Sequence, residues 1–205
     1  IININSKMIK ITLPDGSIKE FERNISPIDV AKSISEGLAR SIISASFNGI
    51  TVETNTPLTT NGALILYSFN NPEGKKAFWH SSAHVLAESI LEFHPKAKLT
   101  IGPAIENGFY YDIDLGDKVI SEKDFQQIEK KFLELARGKH EFKMRSVSKA
   151  DALALYKEEN NPYKVELIEG LTDGDITFCD HSNFTDLCRG GHIPNTGLIK
   201  AIKIM

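Results

Sequence analysis

Apolar and polar residues alternate over positions 8–13, the pattern of a strand with one buried face. Asp15-Gly16 is a hairpin turn signal, and positions 17–21 can return as a second strand. Ser26 before Pro27 pairs an N-cap residue with a proline at the first helical position. Ile28, Val30, Ala31 and Ile34 then supply an apolar stripe at helical spacing, and Gly37 is the expected stop. A second hairpin is predicted from positions 43–47, the Asn48-Gly49 turn and positions 50–52, and a last strand over 63–67 follows Asn61-Gly62.

Two hairpins, one helix and a closing strand make a β-grasp, the ubiquitin-like arrangement, over residues 1–68. The first seven of these form a short extension before Met8, a plausible natural start. Positions 69–74 are rich in turn formers (Asn70, Asn71, Pro72, Gly74) and read as a linker. From Lys75 the period changes. Ala83, Leu86, Ala87, Ile90 and Leu91 share one helical face, and Pro95 ends it. Gly102-Pro103 and Asn107-Gly108 are turns, followed by a strand-like run over 109–113. The clearest helix covers 121–137. Ser121 and Asp124 resemble a capping box, Phe125, Ile128, Phe132 and Leu135 form the stripe, and Gly138 closes it. Ser148 and Asp151 cap a further helix that fails before Pro162, and positions 164–168 and 175–178 read as strands. The fold class is α+β, with the small β-grasp domain followed by a larger α+β domain over 75–205.

At 205 residues, 41% hydrophobic and 25% charged, the composition is that of an ordinary globular protein. No apolar run approaches the roughly 18 residues that span a bilayer. Residues 1–7 lack the basic and apolar regions of a secretory signal, so Cys179 and Cys188 are expected as free thiols in the cytoplasm. A formal charge of −3 argues against a general binder of duplex DNA. It leaves room for a pocket that takes the end of an RNA. Met205 follows an apolar stretch with no terminator, so the chain reads as a piece of a longer protein.

Three segments concentrate reactive side chains. His80 and His84 are four apart, so a helix would turn both imidazoles to one face. Cys188 and His192 are also four apart, with Asp186 two residues before the cysteine and Gly190-Gly191 between them. If the fold brings these together, the set suits either a zinc ion or a polar pocket that positions a water. The third segment is Asn161-Pro162-Tyr163-Lys164, whose lysine could hold a water or stabilise an oxyanion beside an ester.

The run His80-Ser81-Ser82-Ala83-His84, the segment 101–114, Pro162-Tyr163-Lys164 and Asp186-Leu187-Cys188-Arg189-Gly190-Gly191-His192 together resemble the editing domain of bacterial threonyl-tRNA synthetases. The preceding region, with Leu13-Pro14-Asp15-Gly16-Ser17 near its start, looks like the TGS domain of those enzymes. The common family form of the last motif has proline where this chain has Gly191. The resemblance implies hydrolysis of serine wrongly esterified to threonine tRNA. It gives catalytic roles to His80 and Lys164, and seryl or adenosine contacts to His84, Tyr111, Asp186, Cys188 and His192. It implies no metal in this fragment, with ATP and zinc belonging to a separate catalytic domain. The expected partner is the tRNA 3′ end carrying serine, with neither DNA nor a membrane. The fragment is expected to be monomeric and the full-length enzyme a homodimer. Two rivals remain: a free-standing, zinc-dependent deacylase of the alanyl-editing type, and a non-catalytic RNA-binding or regulatory module.

Overall fold

The computed structural model describes residues 7–205, and the extension expected over residues 1–7 lies, but for Lys7, outside them. The chain divides into two units. One holds the described residues up to Ala77 together with Gly191–Pro194, and the other holds Phe78–Gly190 and Asn195–Met205.

In the first unit, strand β1 (Met8–Thr12) pairs antiparallel with β2 (Ile18–Glu22) across the Asp15-Gly16 turn. Helix α1 (Pro27–Ile34) begins as expected, with Ser26 Oγ accepting from the Asp29 N–H at 3.3 Å. It does not end at Gly37. Ser35 is in extended backbone, closes α1 and caps a second short helix, α2 (Glu36–Ser41), which contains the glycine. The serine competes for backbone hydrogen bonds and ends the helix before the glycine is reached. Strands β3 (Ile42–Phe47), β4 (Ile50–Val52) and β5 (Gly62–Ser68) complete a five-stranded sheet in the order β2-β1-β5-β3-β4, with β1 and β5 parallel. Ile9, Ile11, Val30, Ala45, Leu58 and Leu64 make its core. This is the β-grasp that the hairpin signals predicted.

Helix α3 (Pro72–Phe93) starts three positions before Lys75, so half of the expected linker over 69–74 is absorbed into its first turn. Proline is favoured at such a start because its missing N–H is not needed there. Further along, β6 (Lys98–Leu99), β7 (Ala104–Ile105), β8 (Gly108–Phe109) and β9 (Ile113–Asp114) form two small antiparallel pairs, β6-β9 and β7-β8. The expected strand over 109–113 is therefore split between two pairs. Helix α4 (Glu122–Arg137) buries Ile128, Phe132, Leu135 and Ala136, and the Ser121 N–H donates to Asp124 Oδ2 at 2.8 Å.

Strand β10 (Lys143–Ser146), helix α5 (Lys149–Glu158), helix α6 (Pro162–Glu169), strand β11 (Thr177–His181) and strand β12 (Phe184–Leu187) follow, the three strands pairing antiparallel in the order β10-β11-β12. Positions 164–168 are thus helical, which corrects the strand expected there. Pro162 opens the helix and Asn161 Oδ1 accepts from the Lys164 N–H at 3.2 Å. Five residues are too few for a period of two to be told from a period of 3.6, and the cap decides. As a helix, α6 buries Lys164 and Ile168 on one face, and Ile168 joins Ala152, Tyr156, Ile176 and Phe178 in a core cluster.

Candidate functional site

Helical spacing on α3 does what the sequence pattern promised. The Nε2 atoms of His80 and His84 are 3.2 Å apart, with ring centroids separated by 4.9 Å. Cys188 comes just after β12. Its N–H donates to the Thr177 carbonyl at 3.0 Å and its own carbonyl accepts from the Thr177 hydroxyl, so β11 fixes its backbone from both sides. Its Sγ is 3.4 Å from His80 Nε2 and accepts from the Gly190 N–H at 3.4 Å. The donor atoms of His80, His84 and Cys188 all lie within 4.8 Å of one another, a candidate His/Cys metal site. Two imidazoles and a thiol suit zinc in donor chemistry, and separations of this size suit ligands around one small ion.

A second cluster surrounds Asp186, which is 4% exposed on β12. Lys164 Nζ is 2.6 Å from Asp186 Oδ1, and both side chains are buried. The Tyr156 hydroxyl donates to the same oxygen at 3.2 Å, and the Tyr111 hydroxyl donates to Oδ2 at 2.9 Å. The Leu187 N–H reaches both the Tyr156 oxygen and Asp186 Oδ1 at 2.8 Å. A buried charge pair persists only when its members find further partners, and the Asp186 carboxylate accepts also from Tyr111, Tyr156 and the Leu187 N–H.

The two phenols report the field around the carboxylate. Burial first, and then the Asp186 charge, push both the Tyr111 and Tyr156 hydroxyls above the ordinary tyrosine value. Cys188 adds to the effect on Tyr111, so that phenol feels both the thiol and the carboxylate. Burial, with the Asp186 charge second, also raises the carboxyl of Glu159. Tyr111 is seated over Gly102, where a Cβ would come within 2.5 Å of the ring. Only glycine permits that approach without moving the phenol.

His192 belongs to the first unit, four residues along the chain from Cys188. It is fully buried, and its Nδ1 is 3.1 Å from Glu53 Oε1. The same oxygen accepts from the Gly191 N–H at 3.0 Å and the His192 N–H at 3.4 Å. Burial pushes the Glu53 carboxyl up, but the hydrogen bond and charge of His192 and the Gly191 N–H outweigh it and hold the carboxyl below its usual value. Gly191 has φ +87°, which proline cannot reach, so this turn differs from the proline form of the motif.

Of the seven residues singled out in the sequence, His80, His84, Tyr111, Lys164, Asp186 and Cys188 fall in the two neighbouring clusters of the second unit. Tyr156 and Glu53 were missed. Tyr156 reads as one more residue of a helical stripe, and nothing local distinguishes Glu53 from a solvated carboxylate after a strand.

Residues 9–65 match the TGS domain family. Residues 176–205 match the family described as the threonyl and alanyl tRNA synthetase second additional domain. The chain is 67% identical over 198 residues to threonine–tRNA ligases of Flavobacterium psychrophilum and Flavobacterium johnsoniae, and 52% identical to that of Cytophaga hutchinsonii. Each alignment covers 97% of this chain. Over 97% of its length the chain is similar to the N-terminal region of threonine–tRNA ligases.

It spans about 30% of the length of these curated relatives. The β-grasp of the first unit is the part that matches the TGS domain, and Asp186, Cys188 and His192 lie inside the part that matches the second additional domain. Among the described residues no helix is long and apolar enough to cross a membrane.

Proposed function

We propose that the site hydrolyses the ester of serine wrongly attached to threonine tRNA. The observation that carries the reading is the meeting of His80, His84 and Cys188 at 3.2 and 3.4 Å. Beside them lies the buried Lys164–Asp186 pair, in a chain similar to threonine–tRNA ligases.

The chemistry supplies the need. Serine lacks one methyl of threonine, and a missing methyl gives only about 1–3 kcal/mol of discrimination in a binding pocket. A second site that accepts serine and sterically refuses threonine reverses the test. In this reading the tRNA 3′ adenosine delivers the seryl ester. Water adds to the seryl carbonyl carbon, the ester C–O bond breaks, and the ribose oxygen leaves with a proton. His80 takes the proton from water and returns it to that oxygen, a role suited to a side chain that titrates near neutrality. Lys164, held beside Asp186, acts through its charge and its N–H donors on the water or the oxyanion. Asp186 Oδ1 is occupied by Lys164, Tyr156 and the Leu187 N–H, so Oδ2, shared with Tyr111, is the edge that meets the seryl ammonium. In the same reading Tyr111 contacts the adenosine or the bound amino acid. His84 and Cys188 shape the seryl pocket, and His192 is assigned a seryl contact.

His80, His84 and Cys188 would hold a zinc ion, which would polarise the ester carbonyl or acidify a water. The proton transfers assigned to His80 require none. ATP, the ligase's zinc and the dimer contacts belong to the synthetic domain of the whole ligase, and this fragment alone is a monomer.

The test is incubation with Ser-tRNA and Thr-tRNA side by side, together with elemental analysis. Serine should be released and threonine retained. His80→Ala and Lys164→Ala should each slow release by about 100-fold or more. Equal hydrolysis of both esters, or unchanged rates in both variants, rejects the assignment. Stoichiometric zinc with activity lost to chelators points to a zinc-dependent deacylase. Binding without turnover points to an RNA-binding module.

A further inference from the structure

We propose that Glu53, a residue of the TGS region, is a positioning residue for His192, fixing the ring in the tautomer that carries its hydrogen on Nδ1. The proposal rests on the reading that His192 contacts the seryl group.

Glu53 follows β4 and is mostly buried, with its side chain 16% exposed and that of His192 0%. Three nitrogens converge on the single oxygen Oε1: the Gly191 N–H at 3.0 Å, His192 Nδ1 at 3.1 Å and the His192 N–H at 3.4 Å. Backbone N–H groups can only donate, so this oxygen is an acceptor. The ring nitrogen facing it must therefore bring the hydrogen. A neutral imidazole protonated on Nδ1 has its lone pair on Nε2. His192 then offers an acceptor, suited to the hydroxyl or ammonium of a seryl group.

Gly191 makes the arrangement possible. Its φ of +87° aims its N–H at the carboxylate, and an added Cβ would sit 3.3 Å from the Thr51 methyl. A side chain there would strain the turn, and a proline would remove the N–H altogether. The same oxygen thus fixes both the backbone of the turn and the ring it carries. Partners that orient a metal-ligating histidine through its second nitrogen commonly matter by about 10–100-fold in affinity or activity, and an effect of that order is expected for a histidine oriented toward substrate.

The experiment uses the whole 15N-labelled chain. Long-range 1H–15N correlations read the His192 ring, assigned by loss of its signals in His192→Gln. In the wild type, Nδ1 should carry the hydrogen and Nε2 should show the shift of an unprotonated ring nitrogen. Glu53→Ala should move the ring toward the Nε2–H form and lower kcat/KM for Ser-tRNA by about 10–100-fold, mainly through KM. Glu53→Gln keeps a carbonyl oxygen, which the two backbone N–H groups orient toward the turn, and should restore both the tautomer and most of the activity. A wild-type ring protonated on Nε2 alone overturns the proposal even if Glu53→Ala does not fold. So does a folded Glu53→Ala protein with unchanged tautomer and unchanged KM. Failure of the proofreading reading looks different: the wild type releases no serine while the ring is still locked on Nδ1.

Discussion

Replacing Asp186 by alanine should be among the most damaging single changes in the second unit. It would leave the Lys164 ammonium, 3% exposed, without the carboxylate now 2.6 Å away. It would also take the acceptor from the Tyr111 hydroxyl and one of the partners of Tyr156. Removing one member of a buried ion pair typically costs about 3–5 kcal/mol, because the other charge stays buried and uncompensated. That is a large share of the roughly 5–15 kcal/mol that holds a folded domain together. Lys164→Met should cost less, about 2–3 kcal/mol, because Asp186 keeps three donors: Tyr111, Tyr156 and the Leu187 N–H. The double variant removes both charges and should be no less stable than Asp186→Ala alone, giving a coupling of at least about 2 kcal/mol. Urea unfolding followed by circular dichroism measures all four corners. With a slope of about 2 kcal/mol/M, the Asp186→Ala midpoint should fall by about 2 M. Single effects that add within about 0.5 kcal/mol, or an Asp186→Ala cost below about 1 kcal/mol, would refute the claim that a buried, mutually dependent pair anchors the site.

The first unit offers a pH-dependent test at the start of α1. The hydrogen bond from Ser26 first, and then Lys32, hold the Asp29 carboxyl below the usual aspartate value. A depressed folded value contributes stability that is present above the unfolded value and lost as pH falls through the folded one. Ser26→Ala should therefore raise the Asp29 titration seen by NMR, flatten the loss of stability below about pH 4, and cost about 1 kcal/mol at neutral pH. An unmoved titration would show that the cap does not govern the carboxyl. In the second unit, Phe132→Ala should cost about 3–5 kcal/mol in urea unfolding, since the ring is fully buried on α4. A loss under about 1 kcal/mol would mean that the helix does not anchor its core through that face.

Elements whose signals are local and redundant were legible in the chain alone. The Asp15-Gly16 and Asn48-Gly49 turns, flanked by alternating residues, set both hairpins of the β-grasp, and Ser26-Pro27 set the start of α1. The four-residue spacings of His80 with His84 on α3 and of Ile128 with Phe132 on α4 placed each pair on a common face directly from helix geometry. Local signals failed where two competed. Ser35 ended α1 before Gly37, and the Asn161 cap turned an ambiguous five-residue run into α6.

The partners of the site residues emerged only on folding. Lys164 and Asp186 lie 22 residues apart in sequence, and Tyr111 and Asp186 lie 75 apart, yet one carboxylate gathers all of them with Tyr156. Glu53 and His192 are 139 positions apart and meet through one oxygen. Spacing along a helix or strand fixes which side chains share a face, because the backbone repeats every few residues. It says nothing about which faces meet, since that depends on how distant elements pack to bury their apolar sides and match their buried charges.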